Sequence, residues 1–132
     1  MVKELPELLY DVKTDVTEWP LVVLTTPETV VDENLAGFLA DFHDFIIYKN
    51  ERFSLILDVS QTSGMTPKQR KIQSDSMNKQ EVSQHLACVA MVFKSKMLSR
   101  VLTAIMWLKK SEYPVKVFSS VEDAKDWVRT QM

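Results

Sequence analysis

Two hydrophobic periods run along this chain. From Asp32 to Tyr48, the residues Leu35, Phe38, Leu39, Phe42, Phe45 and Ile46 recur three and four apart. That spacing gathers them on one face of a helix, and Asp32 is placed to cap its start. Phe53 to Val59 and Leu86 to Phe93 are continuous apolar runs instead. Such runs suit strands buried on both faces. Leu8 to Lys13 and Trp19 to Thr25 read as two strands joined by the polar turn Thr14 to Thr17, with Pro20 at the start of the second. So short a connection predicts an antiparallel hairpin.

Thr66-Pro67-Lys68-Gln69 is a strong helix start. Thr66 is the N-cap, Pro67 takes the first helical position and Gln69 completes a capping box. This helix is predicted to run to about Ser83. Its apolar positions are only Ile72, Met77 and Val82, so most of its surface should face water. Ser95 is placed to cap a third helix over Met97 to Lys109. Tyr113 to Phe118 forms a fifth strand, and Ser120 to Asp123 opens a last helix that buries Val121, Ala124, Trp127 and Val128.

The order is therefore ββαβαβαβα. Strands that alternate with helices imply parallel pairing through right-handed crossovers. The expected fold is α/β: a single domain over residues 1–132, with a mixed five-stranded sheet edged by the N-terminal hairpin. A chain of 132 residues suits one core.

Composition narrows the function. A net charge of −2 gives no general pull toward nucleic acid. Only two glycines are present, which excludes Gly-rich phosphate loops. The one cysteine, Cys88, lies in an apolar run and reads as an inert core residue; no disulfide can form within one chain. No stretch approaches the ~18 apolar residues of a membrane span, and the N-terminus lacks the pattern of a signal peptide. A cytoplasmic protein without a cofactor is expected. His43 and His85 are too far apart to make a ligand-spacing motif. No nucleophile elbow, P-loop or His-Glu-x-x-His stretch occurs.

The Leu57-Asp58-Val59-Ser60 strand end, the capped Pro67 to Arg70, Leu102 to Leu108, and Tyr113-Pro114 to Phe118 together resemble the STAS domain. That is the SpoIIAA-like fold of the anti-anti-sigma factors. The C-terminal half is similar to bacterial STAS-like proteins and to the CRAL-TRIO lipid-transfer fold. The resemblance covers nearly the whole chain in element order and mainly residues 53–128 in identity. It implies a non-enzymatic regulatory domain that binds protein partners. In the anti-anti-sigma branch a serine after an Asp at this helix start is phosphorylated. Here those two positions fall on Thr66 and Pro67, and Pro67 cannot accept a phosphoryl group. A phosphoswitch would need Thr66, Ser63 or Thr62; otherwise Thr66 is a plain cap.

The residues themselves mark one main candidate site. Ligands of open α/β sheets dock beyond the carboxyl ends of the strands. The rim after the third and fourth predicted strands carries Asp58, Ser60, Thr62, Ser63 and Thr66 beside Lys94, Ser95 and Lys96. Two helix starts would converge there, and helix starts favour anions. Lys68, Arg70, Lys71, Lys94, Lys96 and Arg100 would strengthen that field as a dock for a phosphate, a carboxylate or an acidic partner. Asp58 is expected to bond loop N–H groups. The third predicted helix is apolar on nearly all sides, so Met106 and Trp107 are expected at an interface, a role compatible with pairing of two copies of the chain. The leading expectation is a partner-binding module working through this rim and the second and third helices. The alternative is a small carrier of a lipid or other apolar or anionic ligand.

Overall fold

The computed structural model describes residues 4–63, 66–94 and 113–132. Among them the chain forms β1 (Leu8–Leu9), β2 (Val12–Glu18), β3 (Leu21–Thr25), α1 (Asp32–Lys49), β4 (Phe53–Asp58), α2 (Pro67–Met77), α3 (Gln80–Ser83), β5 (Leu86–Val92), β6 (Val115–Phe118) and α4 (Val121–Gln131). The third helix expected over 97–109 lies outside the described residues.

The strands form one sheet in the order β1-β2-β3-β4-β5-β6. The first two pairings are antiparallel and the last three parallel. The α/β class and the mixed sheet follow the expectation, but the sheet has six strands rather than five. The difference lies in the N-terminal segment. Tyr10 and Asp11, with φ of 49° and 64°, turn the chain between β1 and β2. Two consecutive positive φ values are the geometry that closes a two-residue hairpin. The expected turn, Thr14 to Thr17, belongs to β2. Its polarity comes from strand alternation and a local irregularity: the register shifts between Asp15 and Glu18, and Asp15 Oδ1 accepts from Thr17 N at 2.9 Å and Thr17 Oγ1 at 2.6 Å. Trp19 and Pro20 make the next turn, through a cis peptide bond.

Strand alternation sends side chains to two faces. Phe53, Leu55 and Leu57 of β4 join Val22, Leu24, Val89 and Met91 under α1 and α3. Ile56 joins Leu21, Cys88, Ala90 and Val92 under Ala124 and Val128 of α4. All six residues of β4 are buried, as a central parallel strand requires. On the α1 side the aromatic rings interlock: Trp19 stacks on Phe53 at 5.8 Å and meets Phe45 edge-on at 5.6 Å. Glu18 ties α4 to the hairpin by ion pairs with Lys125 (3.0 Å) and Arg129 (3.7 Å).

Two helix boundaries differ from expectation. Asp32 is the first residue of α1 rather than its cap; Val31 holds the cap position without a side-chain bond. The helix begun at Pro67 stops at Met77 rather than Ser83. Asn78 ends it, its N–H bonded to the carbonyls of Ser74 and Ser76, and α3 starts afresh.

Candidate functional site

The parallel strands end level. Thr25 pairs with Asp58, Asp58 with Val92, and Val92 with Phe118. The ladder continues one step further, through Thr26 N to Asp58 O (3.0 Å), Val59 N to Val92 O (3.0 Å) and Phe93 N to Phe118 O (3.0 Å). The rim anticipated from the sequence is therefore a flush edge at which all four parallel strands end together.

The hydroxyl groups of this rim hold the loops to one another. Thr62 donates its hydroxyl proton to the Pro27 carbonyl at 2.8 Å. The Thr26 and Thr62 hydroxyls meet at 2.5 Å, and the Thr26 hydroxyl also lies within 3.3 Å of the Asp58 carbonyl. Ser63 donates both its N–H (2.9 Å) and its hydroxyl (3.0 Å) to the Glu28 carbonyl. The loop after β4 is thus stitched along the loop after β3. Asp58 acts as expected: its Oδ1 accepts from Ser60 N at 2.9 Å and Ser60 Oγ at 2.6 Å. By alternation with Ile56, its side chain belongs to the α4 face of the sheet, away from α2.

The capping box of α2 is complete. Thr66 Oγ1 accepts from Gln69 N (3.1 Å), and Gln69 Oε1 accepts from Thr66 N (3.0 Å). The same Gln69 amide reaches α1: Nε2 donates to Val30 O at 3.0 Å and to Asp32 Oδ1 at 2.7 Å. Gln69 is only 4% exposed and is the one fully buried residue of α2. It joins the starts of α1 and α2, a role the sequence pattern marked only by half, as the capping box.

This arrangement changes what the helix start can bind. Pro67 has no N–H, and Gln69 N is taken by Thr66. A small anion therefore finds fewer donors there than at an open helix start. The basic side chains remain outward: Lys68, Lys71 and Lys94 are exposed, and the first turn of α2 holds no acid. Ser95, Lys96, Arg100, Met106 and Trp107 lie outside the described residues.

A cavity of about 50 Å³ lies between α1, the loop that leads into it and the sheet, with α2 reaching it at one side. Leu24, Leu55 and Leu57 form its floor, Phe38 and Phe42 one wall, and Gln73 and Met77 part of its roof. Among the described residues no group of three or more His, Cys, Asp or Glu side chains is placed to hold a metal ion. No helix among them is long and apolar enough to cross a membrane.

Residues 28–132 match the family described as a domain of unknown function, DUF7793. The chain belongs to that family. No curated protein and no solved structure matches it. The matched segment begins in the loop after β3, so it includes Asp58, Thr62, Ser63 and α2 and leaves out β1 to β3 together with Thr26 and Pro27.

Proposed function

We propose that this chain is a STAS-like, non-enzymatic regulatory module that docks a protein partner through the rim after β4 and β5 and the outer face of α2. The observation that carries the reading is the packing of α2. An 11-residue helix is normally kept in place by an apolar stripe, because so short a helix is marginal by itself. This one buries a single residue, and that residue is polar. It is held by its capping box and by the Gln69 bonds to α1, and among the described residues Lys68, Lys71 and Ile72 stand exposed on its outer side, where a partner can meet them.

Exposed Lys68 and Lys71 give that face a basic character, which favours an acidic partner surface. The hydroxyls of Thr62, Ser63 and Thr66 are engaged in bracing, which favours a docking role over nucleophilic chemistry. The carrier reading is less well supported. The cavity is about a third of the ~150 Å³ that admits a benzene molecule in a rigid core, far short of a lipid chain.

The test is affinity purification from the native host with wild-type bait and with a Lys68→Glu/Lys71→Glu bait of equal helicity. A protein retained by the first and lost by the second supports docking through α2. Identical recovery by both baits counts against it.

A further inference from the structure

The outer surface of the α1–α2 layer is charged in two strips of opposite sign. Both helices cover the same face of the sheet, α1 through Phe38 and Phe42 and α2 through Met77, while α4 covers the other. The helix α1 holds four acids against one lysine, and α2 holds two lysines and an arginine against one acid. Along α1 the exposed stripe runs Glu33, Ala36, Ala40, Asp44 and Ile47; along α2 it runs Lys68, Lys71, Ile72 and Asp75, with Lys79 just beyond. Among the described residues none of Glu33, Asp44, Lys68, Lys71 and Lys79 forms an ion pair within the molecule. Each helix follows a parallel strand, so the two run the same way, and the Gln69 bonds to Val30 and Asp32 set their starts level. Glu33 therefore stands beside the first turn of α2, and Asp44 lies within about a turn of the level of Lys79.

We propose that this layer is a self-complementary interface, in which α1 of one copy of the chain packs on α2 of a second copy and the reverse. The inference rests on the reading above that the outer face of α2 meets an acidic surface, and it names that surface as α1 of another copy. A half-turn about an axis parallel to the helices lays each strip on its opposite and keeps all the helix starts at one end. Glu33 then meets Lys68 and Lys71 of the other copy, Asp44 comes near its Lys79, and the small Ala36 and Ala40 leave room for its Ile72. The other face-to-face arrangement, α1 on α1, would set acid against acid, so charge selects the first. An 18-residue and an 11-residue helix offer roughly 400–500 Å² per copy, the size of a transient contact. The dimer is accordingly weak and sensitive to salt.

The test is sedimentation velocity over a concentration series at low salt, with circular dichroism to verify folding. Wild-type protein should move from monomer toward dimer as its concentration rises, and return to monomer in high salt. Lys68→Glu/Lys71→Glu and Glu33→Lys/Asp44→Lys should each stay monomeric, but an equal mixture of the two should dimerise, because both helix contacts are then matched in sign. If either double variant fails to fold, Lys71→Glu alone should raise the dissociation constant at least about fivefold, since symmetry breaks each contact twice. A monomeric wild type throughout the low-salt series, dimers in both folded double variants, or a mixture that stays monomeric would overturn the inference. A monomeric wild type together with a host protein still lost from the Lys68→Glu/Lys71→Glu bait would overturn it while leaving docking through α2 in place.

Discussion

Replacing Gln69 with Ala tests the bracing of α2 at its centre. The substitution removes three hydrogen bonds: Thr66 N to Oε1 at 3.0 Å, and Nε2 to Val30 O at 3.0 Å and to Asp32 Oδ1 at 2.7 Å. Neutral bonds contribute about 1 kcal/mol each, and one to a carboxylate about 1.5–3. Asp32 is exposed, so water replaces much of its lost bond, and about 1 kcal/mol is the fair figure there. Alanine returns a few tenths through its higher helix propensity. The net loss is about 2–3 kcal/mol. With a urea slope of roughly 1–3 kcal/mol/M, the unfolding midpoint should fall by about 0.7–3 M. Gln69→Glu should be worse at neutral pH, since it loses the donor and sets a second carboxylate against Asp32. Part of that extra loss should return as the pH drops below about 4, where carboxylates protonate. A Gln69→Ala loss under about 0.5 kcal/mol, the size of an ordinary surface substitution, would refute the bracing role.

Three further outcomes follow from particular contacts. A Cβ at Gly37 would lie 2.6 Å from the ring of Tyr10, so Gly37→Ala should lose the ~1 kcal/mol that alanine usually gains in a helix and recover it when Tyr10→Ser is made as well; a double-mutant cycle by thermal unfolding measures the coupling. The Thr17 hydroxyl and N–H hold the Asp15 carboxyl below its usual 3.8, so its contribution is present above that value and lost as the pH falls through the lower folded value; the stability gap between wild type and Asp15→Ala should close in acid. Burial pushes the Cys88 thiol up, so iodoacetamide should label it only as fast as the core opens, and the labelling rate should rise in step with urea-induced unfolding.

Features with a local cause were legible in the sequence. The i, i+3, i+4 spacing of Phe38, Phe42 and Phe45 located α1, and Thr66-Pro67-x-Gln69 located the start of α2, because both signals lie within one turn or two of helix. The buried runs of β4 and β5 stood out because a central parallel strand needs apolar residues on both faces. The N-terminal hairpin was misplaced because Tyr10 and Asp11 are not the Gly or Asn that usually mark positive φ, while the stretch around Asp15 imitates a turn through a side-chain bond. The rim shows the same division. Bonding of Ser60 by Asp58 spans two residues and could be anticipated. The bonds from Thr62 to Pro27, Ser63 to Glu28 and Gln69 to Asp32 join segments 35 or more residues apart, and no local pattern encodes them. They brace the rim loops and the start of α2 against one another.

Docking through the outer face of α2 is tested most directly by photo-crosslinking in the native host. A photoreactive amino acid would replace Lys71 on α2 or, as the control, Asp126 on the outer side of α4, whose side chain is 77% exposed. A discrete protein adduct from position 71, absent from position 126, is the predicted result. No adduct from position 71, or the same adducts from both positions, would contradict it.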